Sequence, residues 1–270
     1  MRKAALAGVG TVVALVVLSP YVVMLLTAAK PPAELRTTPP RLLPVQWHLR
    51  SFVEVLGDPA FQGWLRVSLL VALVSTALVI LAAVPAAYYT ARHRFPGRDA
   101  FLVLVLVTQM FSPTALVVGL YREFFALGLV NTYAALILTN AGFNLAFAIW
   151  ILRAVFASIP RAVEEAAAID GCGRLGTLFR VVLPLSRPGL VTAMIFAFIA
   201  AWNEYVVALT LMTDAARRPL TVGITSYVTA YVQHWNLLFA ASVIAIVPVV
   251  VLFALIERHL VAGLTAGSVK

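Results

Sequence analysis

Few residues in this chain could do chemistry, so the first question is whether any are spaced to act together. The 270 residues include four histidines (His48, His93, His234, His259), one cysteine (Cys172) and 11 acids. All four histidines fall in loops or at the ends of apolar runs, where a solvated side chain is the simplest reading. No Ser-His-Asp set, no His/Cys metal spacing and no pair of carboxylates within an apolar run is present. A P-loop needs a glycine-rich turn ending in Gly-Lys-Ser/Thr. The three lysines, Lys3, Lys30 and Lys270, follow no such turn. The expectation is a non-catalytic chain with no cofactor, no metal and no nucleotide site of its own. Two kinds of polar feature remain. One is a set of polar residues inside apolar runs: Gln109 with Thr108 and Ser112, Asn140 and Asn144, and Asn203, Glu204 and Tyr205. A polar or charged group in lipid costs a few kcal/mol and therefore faces the interior. Such residues serve as interhelical hydrogen bonds or line a pathway. Amides, hydroxyls and a phenol suit a neutral, hydroxyl-rich solute better than rings of fixed charge would. The other feature is the small-residue island Glu165-Ala166-Ala167-Ala168-Ile169-Asp170-Gly171, which runs on to Leu183-Pro184.

The elements that position these residues follow from hydropathy. The chain is 62% hydrophobic and 11% charged, with a mean hydropathy of +0.98. A soluble domain is nearer half apolar and a quarter charged, so the excess needs lipid. Six spans are expected, at about 8–29, 64–90, 100–121, 132–157, 188–212 and 237–257. Each can cross a core of roughly 30 Å at about 1.5 Å per residue, and each must be helical there. The fold class is thus an all-α polytopic membrane protein, with 1–270 as a single domain. The first run, Ala4 to Ala29, is 26 residues. A signal-peptide core is about 7–15, so the run is read as an uncleaved span. Trp64, Tyr88 and Tyr89 read as interface anchors of the second span. Residues 30–63 are proline-rich and favour an extended or turn-rich excursion. Residues 213–236 could form an interfacial helix or reach toward a partner.

The net charge of +9 would raise nucleic-acid binding in a soluble protein, but the positive-inside rule explains it here. With the N-terminus in the cytoplasm, inner segments hold 12 of the 20 Lys and Arg residues and outer segments hold 8. The bias is clearest in Arg92-His93-Arg94-Phe95-Pro96-Gly97-Arg98 and in 153–187. Both termini are then cytoplasmic, and so is the island. Within its loop, 158–187, Ser158 can cap a helix and Pro160 fits its first turn. Arg161 to Ile169 favours helix, and Gly171 is a stop. Leu175, Leu178, Phe179 and Val182 then form an apolar stripe on a second helix. Pro184 and Pro188 break it before the fifth span.

The spacing in this loop is specific. Glu165-Ala166-Ala167, three residues, Gly171, nine residues, Val181, one residue and Leu183-Pro184 resembles the "EAA" signature of binding-protein-dependent ABC importer permeases. The resemblance covers most of the chain. It is nearest the carbohydrate-uptake class, and within it the shorter membrane subunit of maltose-type importers. Arg94-Phe95-Pro96-Gly97-Arg98, Trp202-Asn203-Glu204-Tyr205 and the tail Gly263-Leu264-Thr265-Ala266-Gly267-Ser268-Val269-Lys270 share it. Val181 stands where Ile is more usual, and Cys172 where Ala is commoner. The resemblance implies that the EAA helix couples to a cytoplasmic ATPase, with Glu165, Ala166, Ala167, Asp170 and Gly171 as the docking face. It implies that Gly263, Leu264, Thr265 and Gly267 of the tail reach the ATPase dimer. It also implies partners: a second permease, two ATPase subunits, and an extracytoplasmic solute-binding protein, all at a prokaryotic cell membrane. Gln109, Asn140, Asn144, Asn203, Glu204 and Tyr205 would then line the pathway or its gate. A sugar or oligosaccharide is the expected solute, with a polyol or glycerophospho compound as the alternative. An ion-coupled transporter or an intramembrane enzyme would need a coupling-ion site or a catalytic set, and Glu204 is the lone acid available to the former.

Overall fold

The computed structural model describes residues 2–37, 39, 41–231 and 233–265, with side chains described at all of these except 2–5, 36 and 255–265. The described residues are nearly all helical. Four helices are long and apolar enough to cross a membrane: α1 (Arg2–Ala28), α3 (Pro59–Arg92), α6 (Tyr133–Ser158) and α13 (Trp235–Thr265). Between α1 and α3 lies α2 (Arg50–Gly57), a short helix in what sequence reads as an extended or turn-rich excursion. It forms because Ser51 and Val55, one turn apart, share a face that packs into the fold.

The third and fifth expected spans are not straight rods. Residues 98–126 form α4 (Arg98–Thr108) and α5 (Pro113–Ala126), which meet at 96°. The cause is local. Pro113 cannot donate to the preceding turn, and the Ser112 hydroxyl accepts from Thr114 N at 3.3 Å, starting a new helix. Hydropathy averages over this start signal. The segment after α7 (Arg161–Ile169) runs through α8 (Arg174–Thr177), a π-helical turn (Leu178–Val182) and α9 (Leu183–Leu185). It meets α10 (Arg187–Trp202) at 82°. The break falls at Ser186, not at Pro184, because Pro184 occupies the first turn of α9, where no donor is missed. Beyond α10, the expected fifth span is interrupted at 203–205 before α11 (Val206–Leu211). Among the described residues, four continuous helices are therefore long and apolar enough to span, and up to six if each bent pair is one span.

Packing centres on α3, which lies against α6 and α10. One cluster joins Val79, Ala83 and Ala87 of α3 to Ile149, Leu152 and Phe156 of α6 and to Ala193 and Ala197 of α10. Small residues permit this closeness. A Cβ on Gly189 of α10 would overlap the side chain of Val155 on α6. Gly189→Ala is expected to destabilise the bundle by about 1–3 kcal/mol, and Val155→Ala in the same chain should recover most of it. Thermal unfolding of the purified single and double variants measures this.

Two expected interface anchors instead make internal contacts. Trp64 is buried and donates Nε1–H to Ala215 O at 3.2 Å. Tyr88 packs edge-on against Phe156 and donates its hydroxyl to Glu164 at 2.8 Å. Residues 213–236 fold into short turns and α12 (Leu220–Gly223) rather than one interfacial helix. Tyr227 in this segment donates to Asp58 Oδ2 at 2.8 Å, and burial with that bond holds its phenol protonated above the usual tyrosine range.

Candidate functional site

The island forms a helix with a defined stop. Pro160, not Ser158, takes the N-cap position of α7, and the Ser158 hydroxyl bonds back to Val155 O within α6. At the other end, Gly171 sits at φ +83°, the left-handed region that suits glycine. Gly171 N donates to Ala168 O at 3.1 Å and Cys172 N to Ala167 O at 2.9 Å. This paired pattern satisfies carbonyls the helix end would otherwise strand.

Helical spacing then divides the motif into two faces. Glu165, Ala166, Asp170 and Gly171 are exposed. Ala167 is buried against its own chain, so it does not share their open face. Glu164 lies three residues before Ala167, on the same inward side. Its carboxylate pairs with Arg92 of α3 at 2.5 Å as well as with Tyr88. Sequence reasoning missed Glu164 because the signature begins one residue later.

The expected apolar stripe also splits. Leu178 and Val182 are buried in the main cluster. Leu175 and Phe179 are 72% and 62% exposed, and Ile169 of α7 is 87% exposed. At roughly 100° per residue, Leu178 and Val182 occupy one edge of the stripe and Leu175 and Phe179 the other. Only the first edge meets the bundle. The knob thus presents one acid-and-alanine face and three large apolar side chains that are mostly exposed.

Of the polar residues within the apolar runs, Gln109 and Asn203 to Tyr205 fall at two helix breaks, while Asn140 and Asn144 lie inside α6. Gln109 caps α4 and donates from its side-chain amide to Phe143 O of α6 at 3.1 Å. Asn140 and Asn144 donate to Leu136 O and Asn140 O of their own helix at 2.9 and 2.8 Å. At the other break, Glu204 accepts from Val207 N at 2.7 Å and Ala208 N at 2.9 Å. Its carboxylate therefore serves the first free N–H groups of α11, where the helix dipole also favours a negative charge. Thr221 donates to Glu204 O at 2.7 Å and ties α12 to the break. Asn203 and Thr221 line a cavity of about 700 Å³ with Trp202, Ser242 and apolar residues of α1 and α13. Tyr205 is the residue before α11 and is partly exposed. In the tail, Gly263, Leu264 and Thr265 continue the helical backbone of α13, while Gly267 lies outside the described residues. Among the described residues, no three of His, Cys, Asp and Glu gather to hold a metal.

The architecture is that of a multi-pass helical membrane protein whose polar groups close helix ends and join elements. The family model described as "Binding-protein-dependent transport system inner membrane component" matches residues 80–265, and the chain belongs to that family. It is accordingly an ABC importer permease, a transport subunit rather than a catalyst. Curated relatives agree over nearly full length. The sulfoquinovosyl glycerol transport system permease protein SmoH of Agrobacterium fabrum is 40% identical over 94% of this chain and 89% of its own. The trehalose/maltose transport system permease protein MalG of Thermococcus litoralis is 37% identical over 82% of this chain and 81% of its own. Among solved structures, a chain from a bacterial ABC transporter involved in the import of the acidic polysaccharide alginate shares the fold. It has a TM-score of 0.82 at 24% identity and covers 95% of both chains.

Proposed function

We propose that this chain forms the translocation pathway of a sugar or oligosaccharide importer together with a second permease, and that α7 couples it to two cytoplasmic ATPases. The observation that carries the coupling is the exposed knob surface: Glu165, Ala166 and Asp170 beside Ile169, Leu175 and Phe179, ended by a left-handed Gly171. Water-exposed apolar side chains beside a small-residue face suit a docking partner. The Arg-rich loop after α3 lies at the same end of the bundle, since Arg92 pairs with Glu164. By the positive-inside rule that end is cytoplasmic, with six spans and both termini inside. The sugar reading is supported by what the relatives' names say they transport. An external binding protein is supported by a second solved neighbour, an alginate transporter in complex with a pentasaccharide-bound periplasmic protein.

A polyol or glycerophospho solute is the competing reading. Purifying the assembled importer with its external binding protein and identifying the co-purified solute by mass spectrometry separates them. A saccharide is expected, and a non-saccharide ligand overturns the sugar assignment. The docking face has its own test. Ile169→Asp is expected to weaken ATPase association about tenfold, read by co-purification, with insertion unchanged.

A further inference from the structure

The knob meets the bundle through a polar joint that the docking face does not include. Glu164 and Arg92 form an ion pair at 2.5 Å, with side chains only 16% and 9% exposed. The second Glu164 oxygen accepts from Tyr88 Oη at 2.8 Å. Two arginine–carbonyl bonds flank this pair and run in opposite directions. Arg92 donates to Ile159 O at 3.0 Å, and Arg161 donates to Arg92 O at 3.1 Å. Ile159 is the C-cap of α6, followed by Pro160, and Arg161 is the first residue of α7. The last turn of α3 is therefore pinned to the start of α7 by side chains from both. The apolar hold on α7 is slight by comparison, since Ala167 is its one buried residue.

Neighbouring acids divide between two directions. Glu165 is exposed, whereas Glu164, about 100° around the helix, turns inward to α3. We propose that Arg92, Glu164 and Tyr88 form a positioning joint that transmits movement of α7 to α3, and through α3 to the α6 and α10 helices packed on it. The inference rests on the coupling reading of α7. A largely buried ion pair is a weak source of net stability but a stiff, directional link, because separating its members leaves a charge without a partner. A stiff link at the first turn makes α7 and α3 turn together, where an apolar contact would let them slide.

The test uses the complete importer in proteoliposomes, with Cys172→Ser and a bimane fluorophore on Leu81→Cys, an exposed position of α3. The readouts are ATPase co-purification and the emission change on ATP plus vanadate. Glu164→Gln is expected to keep the ATPases bound yet shrink the emission change about fivefold or more. Arg92→Gln should match it, and the exchange of both residues should recover at least half of the signal. Tyr88→Phe keeps the ring against Phe156 and guards against misfolding of the charge variants. It is expected to give wild-type yield with a reduced signal. A wild-type emission change in Glu164→Gln or in Tyr88→Phe overturns the joint. Gly171→Val separates this failure from failure of the docking reading. If docking is wrong, Gly171→Val keeps both ATPases and signal. If the joint alone is wrong, Gly171→Val loses both while Glu164→Gln keeps both.

Discussion

Gly171→Val is expected to lower solute uptake about tenfold or more, with the protein still inserted and folded. The backbone there has φ +83°, and a β-branched residue in that region costs about 1–3 kcal/mol. The cost is concentrated in the turn, because a Cβ at Gly171 meets nothing of this chain within 4 Å. Relief of the strain would break the bonds from Gly171 N and Cys172 N to the end of α7 and swing Asp170 and Leu175 out of register. Asn tolerates the left-handed region far better. Gly171→Asn is therefore expected to retain most of the uptake. Uptake and ATP hydrolysis in proteoliposomes measure both variants. If Asn is as damaging as Val, the requirement is for closeness of a docking partner and not for the turn. If Val is harmless, α7 does not couple.

The apolar runs were legible because lipid demands them: four of the six match continuous helices long and apolar enough to cross a membrane, and the other two, at 100–121 and 188–212, are interrupted. The breaks within them were not legible from hydropathy. An average over a window cannot distinguish one helix from two that meet at 96°. Ser112-Pro113 carried the signal, a cap residue followed by proline at the first helical position. The exposed side of α7 was partly readable from spacing, since Gly171 ends the helix and Glu165, Ala166 and Asp170 are exposed, although Ala167 turns inward. The inward side was not. Glu164 needs a partner from the end of α3, about 70 residues earlier, and no local period reports that. The polar residues inside the runs stood out by type, but their partners are backbone groups that no local pattern names: Phe143 O and Leu136 O inside α6 for Gln109 and Asn140, and Ala208 N at the start of α11 for Glu204.

Glu204→Ala is expected to be the most damaging single change outside the knob, and its cause separates two views of this acid. The Glu204 carboxylate accepts from Val207 N and Ala208 N at the start of α11. Removing it strands two N–H groups in a poorly hydrated site, at about 1–3 kcal/mol each. The loss is roughly 2–6 kcal/mol on that basis. Thr221, which donates to Glu204 O, would lose its alignment as α11 frays, and the wall that Asn203 and Thr221 give the 700 Å³ cavity would shift with it. Glu204→Gln keeps one acceptor oxygen of the same reach. It should cost about half as much and preserve most of the uptake. An acid that carried a coupling proton would behave otherwise. Glu204→Gln would then be as inactive as Glu204→Ala while remaining as stable as the wild type. Thermal unfolding of the purified complex, taken beside uptake, distinguishes the two. A neutral Gln that supports transport places Glu204 among the groups that hold the broken helix in shape, and leaves ATP hydrolysis as the source of drive.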